Sequence, residues 1–321
     1  MNRAKWALCR MLFLIMSLGM LYIQQAAGSN RPANVPSDYV ITPFGYFHPS
    51  CVREAKNGET VLGDGRIRFA DGTEETIAPF CSFPHYTAKG ELVVEGSANS
   101  GPLEISWSWI EAGQVSTSAG YDAVTATWTV PQTPTTNDGQ TLYFFPGLMP
   151  STSDPSLIIQ PVLGWGDGMP GAGPWNIASW NCCPSGMTWY STPVTVTPGD
   201  EILGWIISAC GAARVKACSK WSITTTDVST KQSTTLNVDF PSLMTFEWAQ
   251  SGVLEVYSIN QCSDYPPNGS TTFSNVALYD NTFRRIPSPG WSPMYWVTLG
   301  STDPWCNYTA TTTDTTATLT Y

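Results

Sequence analysis

Two polar side chains interrupt segments that are otherwise typical of β-strands. Gln160 lies in "SLIIQPVLGWG" (156–166), and Glu247 lies in "SLMTFEWAQSG" (242–252). A carboxylate can take a proton from water, and an amide N–H can stabilise the oxyanion that forms when water attacks a carbonyl. The two residue types together could therefore hydrolyse a peptide bond. On periodicity alone, either residue could equally lie on the solvated face of a half-buried sheet.

The distribution of histidine narrows the possible chemistry. The chain has two histidines, His48 and His85, and both precede residue 101. A Ser–His–Asp triad, a Cys–His pair or a His-ligated zinc site cannot be built from residues 101–321 alone. We therefore expect no metal and no cofactor. The two histidines are expected to lie in hydrogen-bonded or surface positions, or to sense pH.

Other carboxylates and aromatic residues keep two further functions open. Glu247 with Glu255 or Asp167 could form the carboxylate pair of a glycoside hydrolase. A lectin-like module without catalysis could use tryptophans as sugar platforms, for which the candidates are Trp165, Trp175 and Trp291. For a peptidase, we predict that tryptophans line the substrate cleft, namely Trp128, Trp165, Trp175 and Trp180.

The elements that must position these residues are predicted to be strands. "AVTATWTVP" (123–131) alternates apolar residues with threonines, and "TPVTVTPGDEILGWIIS" (192–208) contains two strands around a Pro-Gly-Asp turn. Turns recur at short intervals, and no amphipathic helical stretch of useful length is present. The pattern predicts an all-β protein with an antiparallel sandwich or jelly roll.

The chain divides into three parts. Residues 1–28 have a basic start, a short apolar core and small residues before the predicted cleavage point, which is the layout of a secretory signal peptide. Residues 29–100 are predicted to be a leader or accessory segment, and 101–321 the β-sandwich catalytic domain. The boundary is placed in "GELVVEGSANSGPLE" (90–104), which resembles a linker.

Cysteine content and charge agree with export. The chain has nine cysteines, and Cys9 lies in the predicted signal peptide, which leaves an even number. No Cys-x-x-Cys pair is present, so we expect disulfides rather than a metal site, with Cys51–Cys81 as a natural local pair. The formal net charge of −10 offers no basic patch for nucleic acid. We expect no membrane association after signal cleavage.

Several segments, in order, resemble the eqolisins, a family of acid-acting glutamic peptidases. These segments are "YDAVTATWTVP" (121–131), "LIIQPVLGWG" (157–166), "VTPGDEILGWI" (196–206), "FEWAQSG" (246–252) and "TTFSNVALYD" (271–280). The resemblance implies a concanavalin-like β-sandwich in which Gln160 and Glu247 are the catalytic residues on neighbouring strands of a concave face. It weakens at "LYFFPGLMP" (142–150), and a proline, Pro161, follows Gln160 directly.

The resulting prediction is a secreted, monomeric endopeptidase that acts in acid on polypeptide substrates. A glutamate general base works best near the ordinary carboxyl pKa of about 4.3, which favours mild acid. Residues 29–100 would restrain the enzyme until it meets acid, when protonation of His48, His85 and carboxylates could loosen them. A permanent accessory domain is the alternative.

Overall fold

The structure is a computed structural model, and it describes residues 31–76, 81–93, 108–150, 157–183, 186–210, 217–295 and 304–321. The predicted signal peptide (1–28) lies outside the described residues, as does most of the predicted linker. The placement of the domain boundary therefore stays a prediction.

The N-terminal segment contains eight short strands and one 3-10 helix, Pro49–Cys51. The strands are β1 (Val40–Thr42), β2 (Gly45–Phe47), β3 (Val52–Ala55), β4 (Thr60–Leu62), β5 (Arg66–Arg68), β6 (Glu74–Thr76), β7 (His85–Tyr86) and β8 (Leu92–Val93). In the order β1-β2-β7-β8, four of them form a small separate sheet.

The remaining described residues form fifteen strands, most of them longer, and a second 3-10 helix, Cys262–Asp264. The strands are β9 (Trp109–Thr129), β10 (Thr141–Met149), β11 (Ile158–Gly166), β12 (Gly173–Cys182), β13 (Thr188–Ser191), β14 (Val194–Thr195), β15 (Glu201–Ser208), β16 (Cys218–Asp227), β17 (Gln232–Met244), β18 (Phe246–Tyr257), β19 (Ser270–Asp280), β20 (Arg285–Ile286), β21 (Ser292–Tyr295), β22 (Thr309–Thr312) and β23 (Ala317–Thr320). The predicted all-β class is confirmed.

Two antiparallel sheets share the long strand β9. In the first sheet the order is β12-β11-β10-β18-β9-β21, and β9 contributes its N-terminal half. In the second sheet the order is β19-β9-β15-β16-β17, and β9 contributes its C-terminal half. Gly120, with φ of +78°, lies between the two halves, where the register with β18 breaks. β9 therefore links both layers of the sandwich.

The two sheets meet face to face through close contacts. Gly204 on β15 faces Pro161 on β11, and a Cβ at Gly204 would lie 2.6 Å from Pro161 Cγ. A hydrogen bond of 3.0 Å joins the hydroxyls of Ser179 on β12 and Thr225 on β16. This packing confirms the predicted sandwich. Pro161 lies within β11, opposite Ser179 on β12. The backbone N–H of Ser179 donates to the Ser191 hydroxyl (2.8 Å) rather than to Pro161.

The N-terminal segment is built into the sandwich edges. β3 pairs in parallel with β13, at the edge of the first sheet, and β4 pairs in parallel with β17, at the edge of the second. Each pairing supplies backbone partners to an edge strand that would otherwise be open. The sequence analysis did not anticipate these two parallel pairs.

Four disulfides connect neighbouring parts of the described chain. They are Cys51–Cys81, Cys182–Cys183, Cys210–Cys218 and Cys262–Cys306. The expected local pair Cys51–Cys81 is confirmed. Each crosslink restricts the unfolded chain, most for the bridges that close the longer loops. Among the described helices, none has the length and apolar composition to cross a membrane.

Glu111 on β9 is a fully buried carboxyl in the layer between β9 and the C-terminal β22–β23 hairpin. Its exposed fraction is 0%, and neither carboxyl oxygen has a hydrogen-bond partner among the described residues. Burial raises the pKa of Glu111 to about 9, although the nearby backbone of Thr309 and Thr320 opposes this rise. The folded protein therefore holds Glu111 protonated in acid and at neutral pH.

We predict that Glu111 stabilises the fold in acid and that this contribution is lost as the pH rises towards 9. The folded pKa lies above the value of 4.5 for an unperturbed Glu, so folding favours the proton-bound form. Above pH 7, where histidine is ordinarily neutral, the free energy of unfolding should then fall by up to about 1.4 kcal/mol per pH unit. Urea unfolding at pH 7, 8 and 9 measures this slope.

Glu111→Gln should flatten the pH dependence, because the amide does not titrate. The exposed Glu201 on β15 supplies the control, Glu201→Gln, which should keep the wild-type slope. Equal slopes in wild type and Glu111→Gln would rule out a buried Glu111 acid as the cause.

Candidate functional site

Gln160 lies in the middle of β11 and is completely buried. Every residue of β10 and β11 is buried. Such strands are covered on both faces and read as continuous apolar runs rather than alternating ones. Gln160 is thus a polar side chain inside a doubly covered strand, not on the solvated face of a half-buried one.

The face of the first sheet that carries Gln160 is covered by the N-terminal segment. Ile41 N–H donates to the Gly168 carbonyl (2.7 Å), and the Tyr143 hydroxyl donates to the Ile41 carbonyl (3.0 Å). Gln160 Nε2 donates to the Pro43 carbonyl (3.1 Å). A backbone carbonyl of the covering segment therefore occupies the hydrogen-bonding position of the Gln160 amide.

After Pro43 the covering segment turns back. Thr42 and Gly45 pair at the β1–β2 turn, where Gly45 has φ of +128°, and the Thr42 hydroxyl donates to the Gly45 carbonyl (3.0 Å). Tyr46 then packs edge-on against Tyr257, with 5.4 Å between the ring centroids. The N-terminal segment thus approaches Gln160 and leaves it within a few residues.

A row of glutamines crosses the first sheet at Gln160. Extending the β10–β11 register by one position places Gly147 opposite Gln160, and Gly147 pairs in turn with Gln250 on β18. Gln250 pairs with Gln114 on β9. We call Gln160, Gly147, Gln250 and Gln114 the amide row. The Oε1 atoms of all three glutamines are buried and have no hydrogen-bond partner among the described residues.

Glu247 lies near the start of β18, three residues before Gln250, and is half-buried. The register shifts between Phe246 and Trp248, so simple alternation does not fix its face there. Two strand spacings and three residues give roughly 14 Å between the α-carbons of Gln160 and Glu247. The Gln160 amide makes its hydrogen bond to Pro43 and none to Glu247. The predicted pair is therefore not in direct contact in this covered form.

The four tryptophans predicted to line a cleft are all buried. Trp165 and Trp175 contact each other, with 6.4 Å between ring centroids, and Trp128 packs beside Phe273. Trp180 is different, because it pairs directly with Gln160 across the β11–β12 ladder. Trp180 is thus the member of the predicted set that lies next to Gln160.

The two alternative carboxylates lie in contrasting surroundings. Glu255 is fully buried and accepts hydrogen bonds from the Ser108 hydroxyl (2.8 Å), Trp109 Nε1 (3.0 Å) and the Tyr257 hydroxyl (2.5 Å). Burial raises the pKa of Glu255 to about 7, although these donors oppose the rise. Asp167 is exposed and accepts from the Asn137 amide (3.3 Å).

Both histidines belong to the covering segment. His85 is buried and stacks on Phe47 at a centroid distance of 4.6 Å. Burial lowers the pKa of His85 to about 4, and its Nε2 has no hydrogen-bond partner within the described chain. His48 stacks on Phe83 at 3.7 Å and hydrogen-bonds the Ser50 hydroxyl through Nδ1 (2.7 Å). No cluster of three or more His, Cys, Asp or Glu side chains in the described ranges could hold a metal ion.

The sequence analysis missed the other two glutamines of the amide row, and it missed the role of Pro43. Gln250 stands in the same segment as Glu247, "FEWAQSG", but its position across from Gln160 depends on irregularities in β10 and β18. No local sequence signal gives the position of such register shifts. Gln114 lies in the N-terminal half of β9, whereas the sequence analysis quoted only the C-terminal half of that strand.

We predict that Gly168→Ala loosens the covering segment. A Cβ at Gly168 would lie 2.5 Å from Ile41 Cδ1 and 3.0 Å from Ile41 Cγ1, so the Ile41 side chain must shift. Hydrogen exchange of residues 40–47 should become faster than in the wild type. Residues 60–62 serve as the internal control, because β4 pairs with β17 far from Gly168. Unchanged exchange at 40–47 would show that this contact does not hold the segment.

No family model and no curated protein matches the chain. Among solved structures, the chain is similar to scytalido-glutamic peptidase with a peptide-based transition-state analogue, at 15% identity and a TM-score of 0.47, covering 66% of this chain and 98% of that chain. SCP-B, a member of the eqolisin family in complex with the tripeptide Ala-Ile-His, matches at 15% identity and 0.46, with the same coverage. Aspergilloglutamic peptidase from Aspergillus niger matches at 16% identity and 0.36, covering 56% of this chain and 98% of that one. Likeness at this level does not establish an activity.

Proposed function

We propose that the chain is a secreted, acid-acting endopeptidase that uses Gln160 and Glu247, and that its N-terminal segment covers the site before activation. The observation that carries the proposal is the 3.1 Å hydrogen bond from Gln160 Nε2 to the Pro43 carbonyl. Gln160 already binds a peptide carbonyl in this structure, and an oxyanion donor must act on the same chemical group.

Hydrolysis in the proposed site needs one bond to form and one to break. Glu247, as a carboxylate, takes a proton from water while the water oxygen bonds to the scissile carbonyl carbon. Gln160 Nε2–H donates to the oxygen that gains negative charge. Glu247 then passes the proton to the nitrogen as the C–N bond breaks, so the products are a carboxylic acid and an amine.

The separation between Gln160 and Glu247 leaves space for the reactants. In the covered form, the Pro43 carbonyl accepts the hydrogen bond that the Gln160 side-chain amide donates. After the N-terminal segment leaves, a substrate peptide and the attacking water would lie between the two side chains. A direct hydrogen bond between Gln160 and Glu247 is not required for this chemistry, because water is the nucleophile.

The chemistry of the buried groups supports acid conditions. Glu111 and Glu255 are carboxyls whose burial favours the protonated form, whereas burial of His85 favours the neutral form. Lowering the pH therefore stabilises the sandwich, which contains the two buried carboxyls. It weakens the docking of the N-terminal segment, which contains His85. The four disulfides fit an oxidising extracellular compartment.

The expected sites of the two alternative functions lie in the following surroundings. The sugar platforms of a lectin-like module, Trp165, Trp175 and Trp291, are buried in this structure, as are the tryptophans predicted to line a peptidase cleft. The glycosidase reading paired Glu247 with Glu255 or Asp167. Glu255 has both oxygens engaged by hydrogen-bond donors, and Asp167 lies in an exposed loop.

We predict that both proposed catalytic residues are required for cleavage of a denatured protein at pH 3–5. Gln160→Ala removes the oxyanion donor and should lower kcat by about 10²–10³. Glu247→Gln removes the base and should lower kcat by about 10²–10⁴. The assay uses the secreted protein after acid incubation.

The matched controls carry the same changes at exposed positions of the second sheet, Gln232→Ala and Glu201→Gln, and should keep wild-type rates. Wild-type turnover in both Gln160→Ala and Glu247→Gln would refute the proposed pair. N-terminal sequencing of the acid-treated product tests the covering role, because a start near residue 29 would contradict removal of the segment.

A second prediction concerns acid release of the N-terminal segment. His85 has a folded pKa of about 4 against 6.5 for an unperturbed His, so its contribution to docking is present above pH 6.5 and is lost as pH falls towards 4. The shift is equivalent to about 3 kcal/mol. Limited proteolysis of residues 40–47 across this range should show cleavage rising within that window.

His85→Phe should keep the stacking on Phe47 and remove the titration, so the rise should shift to lower pH or disappear. The control His48→Phe changes a half-buried ring that can keep its stacking on Phe83, and it should leave the profile in place. An unchanged profile in His85→Phe would assign acid release to other groups.

A further inference from the structure

The amide row contains three buried acceptors that nothing in the described structure satisfies. Gln160 and Gln250 are 0% and 1% exposed, and Gln114 is half-buried with its Oε1 buried. A buried acceptor without a partner destabilises the fold, because it loses its hydrogen bonds to water and gains none in return. Three of them on neighbouring positions of one sheet are therefore a large local cost in stability.

The absence of a side chain at Gly147 brings the acceptor of Gln250 towards Gln160. Gln160 Nε2 is fixed by the Pro43 carbonyl, so its Oε1 is directed elsewhere. Gln250 Oε1 lies 2.9 Å from the position that a Cβ on Gly147 would take. Because Gly147 has no side chain, the Gln250 amide can lie over β10 on the side of Gln160, where Ile158 Cδ1 is 3.1 Å from the same Cβ position.

The donor set of the row selects the class of ligand. Carbonyl oxygens of amides accept hydrogen bonds from N–H or O–H groups and do not bind anions. The row itself contains no carboxylate, which a divalent hard cation would favour. A neutral N–H donor fits best, and a peptide that offers its carbonyl to Gln160 carries N–H groups within reach.

The length of the row matches a short piece of extended peptide. Three strand spacings of about 4.8 Å separate Gln160 from Gln114, a distance that roughly four extended residues span. The N-terminal segment does not follow this line, because it turns back after Pro43 towards Tyr257. The acceptors of Gln250 and Gln114 therefore stay unpartnered while that segment is in place.

We propose that Gln250 and Gln114 are substrate-binding residues that accept N–H groups of the peptide on the amine side of the scissile bond. This inference rests on the proposed function, since it takes Gln160 as the carbonyl-binding residue. Gln160 donates to the carbonyl of the scissile bond. Gln250, on the far side of Gly147, accepts the N–H that follows this carbonyl in the peptide. Gln114 accepts an N–H group of a later residue of the peptide. In this structure the covering segment supplies the carbonyl that Gln160 binds, but its described residues supply no N–H group to Gln250 or Gln114.

The first test measures peptide affinity by calorimetry with the full secreted chain at pH 4. The probes are Ac-VITP-NH2, built on residues 40–43, the longer Ac-VITPFAAA-NH2, and the same long peptide with an N-methyl group on its Phe. In the wild type, the long peptide should bind more tightly than the short one, and N-methylation should weaken it by about fivefold.

In Gln250→Met, N-methylation should make no difference to affinity, because the acceptor is already absent. In Gln114→Met, the difference in affinity between the long and the short peptide should become smaller. The control Gln232→Met, on the exposed edge of β17, should behave as wild type. A full N-methyl effect in Gln250→Met, or no peptide binding to the wild type, would overturn the inference.

The second test needs no ligand. Replacing a buried, unpartnered amide by an apolar side chain of similar length should stabilise the fold, so Gln250→Met should melt about 2–4 °C higher than wild type. A lower melting temperature would show that the amide has a structural partner and would overturn the inference.

The inference and the proposed function can fail separately. Length-dependent binding without cleavage would refute the proposed hydrolysis alone. Cleavage with an unchanged N-methyl effect in Gln250→Met would refute this inference alone.

Discussion

The need to cover β10 and β11 on both faces determines the arrangement of the whole molecule. Nearly all of their side chains are apolar, so exposure of either face would forfeit the burial that stabilises the fold. The second sheet covers one face, and the N-terminal segment covers the other. Because the covering segment lies on the face of Gln160, stability in the covered form and access to the candidate site are opposed.

The opposition explains why polar groups on the covered face are imperfectly satisfied. The N-terminal segment supplies one carbonyl to Gln160 and pairs its own backbone with Gly168 and Tyr143. It supplies no partner to the acceptors of Gln250 and Gln114. A permanent structural contact would be expected to satisfy such groups, whereas a site held ready for another peptide leaves them open.

Burial also sets the response of the molecule to pH. The same desolvation acts in opposite directions on acids and bases, since it always disfavours the charged form. Glu111 and Glu255, in the sandwich, are stabilised as neutral acids, and His85, in the covering segment, is stabilised as a neutral base. Lowering the pH therefore affects the two parts of the chain differently.

The sequence by itself determined the all-β class and the sandwich, and it suggested the Cys51–Cys81 pair without fixing the disulfide connectivity. Alternation in "AVTATWTVP" and the Pro-Gly-Asp turn are local signals, and local backbone geometry follows from them. It also singled out Gln160, because a glutamine in an apolar run stands out without knowledge of its neighbours.

Tertiary structure decided what Gln160 contacts. The opposition of Gln160 and Gln250 across Gly147 depends on strand order and register shifts, and the contact with Pro43 joins residues 117 positions apart. Such relations arise from packing between distant segments, and local sequence patterns carry no record of them.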